Sequence, residues 1–261
     1  MKDKYKIGSV KYLNAEPLIW PLEHGEIGEP IKIKRSFPGE LPNMLISGEL
    51  DCAIAPVAVL LEHPDLVPLP DVAIASRGAV ASVLVFHNVP FDGIETLWLD
   101  PASRTSNLLA RILRSMSKKL SCNYVIPTED EAPGINDLPS GHGRLIIGDA
   151  ALAYSVDSEI KVQFTDLGLL WKEKTNHPFV YARWIAQNGD IAAELAGTVR
   201  ESRDWSVLNL HKLIEPLAEK YNFPVSLVDR YLRTNITYMF GPREQSGENE
   251  FFRLAKKLEN I

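Results

Sequence analysis

The stretch LWLDPASRTSNLLARILRSM, residues 97–116, joins a predicted strand to a predicted helix through a short polar run. Its first residues, Leu97–Leu99, are typical of a strand end. The apolar positions of the helix, residues 107–116, share one face at helical spacing: Leu108, Leu109, Ile112, Leu113 and Met116. The polar run between strand and helix is Ser103, Arg104, Thr105 and Ser106. A strand followed by a polar helix start is typical of an α/β protein at the edge where ligands bind.

This polar run supports two interpretations. The first turn of a helix presents backbone N–H groups without intrahelical acceptors, and the helix dipole places partial positive charge there, so the run predicts an anion site. The hydroxyls of Thr105 and Ser106 would add donors, and Arg104 would add a bidentate carboxylate contact. In the simpler interpretation Ser103 or Thr105 only caps the helix, and Arg104 points to solvent.

The same alternation of strands and helices continues on both sides of the quoted stretch. One set of strands and helices precedes residue 91, a second set follows it, and helices fill the chain from residue 191. Alternation of this kind indicates mostly parallel sheets. We therefore predict an α/β protein with two lobes and a central cleft. Lobe 1 is predicted to contain residues 1–90 and 181–261, and lobe 2 residues 91–180.

Composition excludes several classes of protein. The 261 residues carry a net charge of −6, which disfavours binding to nucleic acid or to an anionic membrane. The two cysteines form no framework, and the six histidines show no ligand spacing, so no metal site is predicted. No apolar run reaches the length of a signal peptide or a membrane span, which predicts a cytoplasmic protein.

Six motifs, in order along the chain, resemble the chorismate dehydratase family of the futalosine route to menaquinone. They are VKYLNAEPL (10–18), GELDCAIAPV (48–57), SRGAVASVL (76–84), SRTSNLLARIL (103–113), IGDAAL (147–152) and DLGLLWKEKTNHPFVYARW (166–184). The resemblance implies a type II periplasmic-binding-protein-like fold. The chain departs from the family pattern at Asn176-His177-Pro178, where members usually have Gly-Leu-Pro.

The reaction implied by the resemblance is loss of water from chorismate, a dicarboxylate, to give 3-[(1-carboxyvinyl)oxy]benzoate without a cofactor. The implied catalytic residues are Asn14 and Ser82. The implied substrate-binding residues are Ser103, Arg104, Thr105, Ser106, Pro56 and Asp149. An amide is a very weak base, so Asn14 is expected to hydrogen-bond the departing hydroxyl or to fix the substrate.

Each of these residues also has a plain structural interpretation. Asn14 is a common turn former, Ser82 is a small residue that packs in a strand, and Asp149 can cap the helix that follows it as well as orient Thr105 or Ser106. Ser76 and Arg77 are weaker candidates for carboxylate binding. The lone His177, before a proline, is more typical of a surface residue than of a base. The base stays unassigned; one hypothesis is that the enolpyruvyl carboxylate of the substrate takes the proton.

Two other functions remain in competition with the dehydratase. A sister family with the same fold forms dihydroxynaphthoate, and its members resemble each other in carrying a His-Glu pair where this chain has Gly148-Asp149. A non-catalytic binding protein for a small carboxylate would share the fold and would be expected to carry a secretion signal or lipobox.

Overall fold

A computed structural model describes residues 5–117, 121–128 and 131–259. Its strands are β1 (Ile7–Val10), β2 (Ile33–Ser36), β3 (Cys52–Pro56), β4 (Val67–Ser76), β5 (Val83–His87), β6 (Thr96–Trp98), β7 (Asn123–Val125), β8 (His142–Ile147), β9 (Gln163–Asp166), β10 (Phe179–Ala186) and β11 (Thr237–Met239). Its α-helices are α1 (Glu16–His24), α2 (Leu41–Ile46), α3 (Val59–Glu62), α4 (Arg104–Ser115), α5 (Gly148–Tyr154), α6 (Leu167–Thr175), α7 (Gly189–Tyr221), α8 (Val225–Arg230) and α9 (Pro242–Glu259).

The strands form two sheets, as an α/β protein with two lobes requires. The first sheet has the order β11-β4-β10-β3-β1-β2, and the second has the order β7-β6-β8-β5-β9. Strands β1, β2 and β3 pair in parallel, whereas β10 is antiparallel to both β3 and β4. The carboxyl ends of β1 and β3 therefore lie at the same edge of the first sheet, where side chains that follow them can meet.

The predicted lobe boundary at residue 90 is misplaced by one strand. Strand β5 pairs with β8 and β9 in the second sheet, so the chain crosses between sheets at residues 77–82. Residues 83–87, VLVFH, are buried throughout, and a continuous apolar run carries no sign of which sheet it joins. The division of the whole chain into two lobes stays a proposal.

Helix α9 packs against elements associated with both sheets. Its Phe251 ring lies 5.1 Å from the Phe179 ring of β10 and 6.4 Å from the Trp171 ring of α6, measured between ring centroids. The helix also contacts α4. Burial of an aromatic side chain contributes about 1.5–3 kcal/mol. The C-terminal helix thus contacts elements associated with both sheets, in addition to packing on the predicted lobe 1.

The departure from the family pattern at residue 176 has a local explanation. Helix α6 ends at Asn176, whose φ of 60° lies in the left-handed region. Glycine is the usual residue for this helix end, and asparagine is its most frequent substitute. The Lys172 Nζ donates to the Asn176 backbone oxygen at 2.8 Å and to its side-chain oxygen at 2.9 Å. Asn176 therefore supplies the left-handed residue that ends α6.

None of the described helices is both long enough and apolar enough to span a membrane.

Candidate active site

Helix α4 begins at Arg104, three residues before the predicted start at 107, because Ser103 caps it. The Ser103 Oγ accepts a hydrogen bond from the Ser106 backbone N–H at 3.1 Å. Ser103, Thr105 and Ser106 are all buried, and all three line the same cavity. Capping and cavity lining are therefore both roles of this short run.

The cavity lies where the two sheets face each other. Tyr12 and Asn14, which follow β1, contribute to its wall, as do Pro56 at the end of β3 and Ser82 at the sheet crossing. The described residues that line it include no Lys, Arg, His, Asp or Glu. An anion in this cavity would be held by hydroxyls and by the first N–H groups of α4 rather than by charged side chains.

A hydrogen-bonded chain joins the two predicted catalytic residues. The Asn14 Nδ2 donates to the Tyr231 hydroxyl oxygen at 3.2 Å, and the Tyr231 hydroxyl donates to the Ser82 Oγ at 2.7 Å. Motifs in the sequence indicated Asn14 and Ser82 as site residues, but no motif or spacing indicated Tyr231. Tyr231 lies far along the chain in a helical segment, outside every motif.

Arg104 and Asp149 are not among the residues that line the cavity, and their substrate-binding roles stay predictions. The Arg104 guanidinium pairs with Glu62 at 2.7 Å and donates to the Asn43 side-chain oxygen at 3.3 Å. The Asp149 carboxylate accepts from the Leu13 backbone N–H at 3.0 Å and does not cap α5. Arg104 thus pairs with a carboxylate of the protein itself. The hydrogen bond that Asp149 accepts from Leu13 stabilises the turn that carries Asn14.

Ser76 and Arg77, the weaker candidates for carboxylate binding, also bond to groups of the protein itself. The Ser76 Oγ donates to the Gly78 backbone oxygen at 3.0 Å and hydrogen-bonds the Tyr181 hydroxyl at 3.1 Å. Arg77 pairs with Glu244 at 2.9 Å. None of Ser76, Arg77 and His177 lines the cavity, although Tyr181 does.

The turn that carries Asn14 is anchored by a buried charge cluster that the sequence did not reveal. Glu16 is 0% exposed and accepts from Arg35 at 2.7 Å, from Lys220 at 2.8 Å and from the Tyr221 hydroxyl. Burial alone would raise the pKa of Glu16, but these three partners outweigh it and lower that pKa. The first residue of α1 is thus fixed two positions after Asn14.

The backbone beside Ser82 is held in an unusual conformation. Ala81 has a φ of 62°, in the left-handed region that costs a non-glycine residue of order 1 kcal/mol or more. The Asp166 carboxylate accepts from the Val80 N–H at 3.1 Å and from the Ala81 N–H at 2.7 Å. Asp166 therefore fixes the crossing segment and, through it, the position of Ser82.

Gly148 lies against the ring of Tyr12. Its φ is 65°, and a Cβ built there would lie 2.8 Å from the Tyr12 ring. A side chain at this position would strain the backbone and push Tyr12 toward the cavity.

We expect Gly148→Ala to lower the free energy of unfolding by about 1–3 kcal/mol, since both strain and overlap are introduced. The melting temperature measured by calorimetry should fall by several degrees. Gly189→Ala is the matched control, because a Cβ there meets no atom within 4 Å. Equal melting temperatures for the two variants would contradict this account of Gly148.

Ser106 is expected to be a direct donor to an anion in the cavity. Ser106→Ala should weaken binding of a carboxylate substrate by about 1.5–3 kcal/mol, or roughly 10- to 100-fold in Kd, since one hydrogen bond to a charged acceptor is lost. Calorimetric titration would measure the change. Ser115→Ala, at the other end of the same helix, is the control and should bind normally.

Thr105 requires a different substitution. Its Oγ1 accepts from the Ala58 backbone N–H at 3.1 Å, so Thr105→Ala would leave a buried donor without its partner. Thr105→Ser keeps both the acceptor and the donor and should bind like the wild type.

Unchanged affinity in Ser106→Ala would show that the Ser106 hydroxyl has no role in binding.

The pH dependence of stability should report on Asp149. Burial, with a smaller contribution from the nearby Glu16 charge, raises the pKa of Asp149 from 3.8 to about 6, although the Leu13 N–H opposes the rise. The folded protein therefore holds this proton more tightly than the unfolded chain. The resulting stabilisation is complete below pH 3.8 and is lost as the pH rises to about 6.

Asp149→Asn cannot ionise, yet it keeps an oxygen for the Leu13 N–H. Relative to the wild type, its melting temperature should increase as the pH rises through this window, and its free energy of unfolding should gain on the order of 1–3 kcal/mol. The exposed Asp157→Asn controls for loss of one negative charge. Parallel melting curves for wild type and Asp149→Asn across the window would contradict the assignment.

Within the described residues, no cluster of three or more His, Cys, Asp or Glu side chains is arranged to hold a metal ion.

Two facing sheets, a neutral cavity between them and a helix N-terminus in its wall define an α/β protein of the periplasmic-binding-protein-like class. Solved structures share this fold: the alkanesulfonate-binding protein SsuA from Xanthomonas axonopodis pv. citri aligns with a TM-score of 0.68 at 15% identity, over 98% of this chain and 93% of that one. The chain belongs to the menaquinone biosynthesis family, whose model matches residues 5–257.

Two similar relatives are named as enzymes of one kind. A chorismate dehydratase from Thermus thermophilus is 29% identical over 87% of this chain and 87% of its own length. A chorismate dehydratase from Campylobacter jejuni is 28% identical over 96% of this chain and 97% of its own length. The family resemblance in the six motifs is thereby confirmed.

Proposed function

We propose that this protein is a carbon–oxygen lyase that removes water from chorismate to give 3-[(1-carboxyvinyl)oxy]benzoate, the product expected of the futalosine route. The observation that carries the proposal is the chain from Asn14 through Tyr231 to Ser82, in a cavity that also contains the N-terminus of α4. The names of the two relatives agree with it.

The substrate is a dianion, and the cavity offers neutral donors for a carboxylate. The hydroxyls of Ser103, Thr105 and Ser106 and the first N–H groups of α4 suit one carboxylate. Hydrogen bonds from neutral donors to an ionised acceptor are stronger than those between two neutral groups. The net charge of −6 of the chain makes such a local site necessary.

The reaction breaks one C–H bond and one C–O bond of the ring. The C–H electron pair becomes the new ring double bond, the C–O pair leaves with the oxygen, and that oxygen combines with the removed proton as water. The ring becomes aromatic, so no redox partner is needed. Ser82 and Asn14 are proposed to stabilise the charge that develops on the departing oxygen.

The base is proposed to be the enolpyruvyl carboxylate of the substrate. The cavity lining offers no carboxylate, imidazole or amine among the described residues. Its phenols are unsuitable, because burial raises the pKa of Tyr12 and of Tyr181 above the ordinary tyrosine value. A carboxylate already attached beside the reacting carbon needs no further positioning.

The test is incubation of the protein with chorismate, with detection of the aromatic enolpyruvyl product by ultraviolet absorbance and mass spectrometry. Ser82→Ala is the matched control for contaminating activity. Binding of chorismate without product would favour the non-catalytic carboxylate-binding protein. The sister naphthoate synthase is disfavoured by Gly148, whose contact with Tyr12 leaves no space for a side chain.

A cytoplasmic location of the protein stays a prediction.

A further inference from the structure

Tyr231 lies between the two predicted catalytic residues without touching the cavity itself. Its side chain is 1% exposed, and its hydroxyl links Asn14 to Ser82 at 3.2 and 2.7 Å. Because the Asn14 amide donates to the phenol oxygen, the single phenol proton goes to the Ser82 Oγ. The serine oxygen is then an acceptor within this chain, and its own proton is left for a group in the cavity.

We propose that Tyr231 is a positioning residue: it orients Ser82 so that the serine hydroxyl donates a hydrogen bond to the departing hydroxyl of the substrate. The inference rests on the proposed dehydratase function and adds a residue outside the six motifs. Ser82 keeps its proton throughout, and the departing oxygen becomes water with the proton removed from the ring.

The protonation of Tyr231 suits this role. Burial raises the pKa of its hydroxyl above the ordinary tyrosine value, although the hydrogen bonds with Ser82 and Asn14 oppose the rise. The phenol therefore stays neutral and continues to donate toward Ser82. A neutral donor holds the serine rotamer without placing a negative charge near a dianionic substrate.

The backbone around Tyr231 is built in an uncommon way. Residues 231–235 form a π-helical turn, in which the Ile236 N–H donates to the Tyr231 backbone oxygen at 3.2 Å. The Asn235 Nδ2 donates to the Ala79 backbone oxygen at 2.9 Å, which ties this turn to the crossing segment that carries Ser82. Single π-helical turns occur frequently at functional sites. This turn fixes Tyr231 and Ser82 relative to each other.

A second buried tyrosine provides the matched control. Tyr238 is 5% exposed, and its hydroxyl has no hydrogen-bond partner among the described residues. Tyr238→Phe therefore removes the same atom from the same region of the fold, but breaks no bond. The comparison separates loss of a buried hydroxyl from loss of the link to Ser82.

The experiment measures kcat, KM and melting temperature for the wild type, Tyr231→Phe, Tyr238→Phe, Ser82→Ala and the double variant Tyr231→Phe/Ser82→Ala, with chorismate as substrate. We expect Tyr231→Phe to lower kcat about tenfold, the scale of one hydrogen bond, with KM little changed. Tyr238→Phe should behave like the wild type. In the Ser82→Ala background, Tyr231→Phe should have almost no further effect, because two residues that act as one unit are not additive.

The results that would overturn the positioning role of Tyr231 differ from the result that would overturn the proposed function. Equal kcat values for Tyr231→Phe and Tyr238→Phe, a full additional tenfold loss in the Ser82→Ala background, or a Tyr231→Phe variant that does not fold would each overturn the positioning role alone. Wild-type protein that binds chorismate but forms no product would overturn the proposed function, and this inference with it.

Discussion

A chorismate analogue that lacks the enolpyruvyl carboxylate is expected to bind in the cavity and to release no water. The physical reason is that the described cavity lining contains no side chain able to accept the ring proton at neutral pH. Without the internal carboxylate, the C–H bond has no base beside it. Turnover should therefore fall to the background rate, the largest effect predicted for this protein.

Binding and reaction must be measured separately in that experiment. The analogue retains the ring carboxylate, so it should inhibit chorismate turnover competitively, with weaker affinity because one anion contact is lost. Product formation would be followed by mass spectrometry at saturating analogue. Addition of acetate, which can occupy the vacated space, should restore part of the turnover. Turnover at the normal rate without acetate would refute the assignment of the base to the substrate.

The features that could be predicted from the sequence are those that depend on residues close together in the chain. The apolar spacing of residues 107–116 and the serine before them identified α4 and its cavity-lining start, because a helix and its cap are local. Asn14 and Ser82 were found through motifs that follow β1 and precede β5. The structure brings them to one cavity through contacts between residues far apart in the chain.

The features that escaped prediction depend on distant pairs. Tyr231 is 149 residues from Ser82, and no periodicity links them. Asp166 caps α6, and its bonds to the strained crossing at Val80 and Ala81 appear only in three dimensions. The pairing of Arg104 with Glu62 could not be predicted either, because Glu62 is remote in sequence. Charge and residue type identify candidates, whereas the fold decides which partner each one meets.

Asn14→Asp is expected to lower turnover of chorismate by about 100-fold or more, the scale seen when one preorganised donor is lost. The substitution preserves size but reverses the hydrogen bond to Tyr231: a carboxylate can only accept, so the phenol proton would turn toward residue 14 and away from Ser82. The new charge would also repel a dianionic substrate, which should raise KM.

Asn14→Ala separates these two effects. It removes the donor without adding charge, so it should lower kcat less than Asn14→Asp does and leave KM closer to that of the wild type. Steady-state kinetics with chorismate and melting temperatures would be measured for both variants. Melting temperatures should change little, because the turn is held independently by Glu16 with Arg35 and Lys220 and by the bond from the Leu13 N–H to Asp149. Normal turnover by Asn14→Asp would remove Asn14 from the mechanism, and failure of both variants to fold would show that Asn14 serves the turn alone.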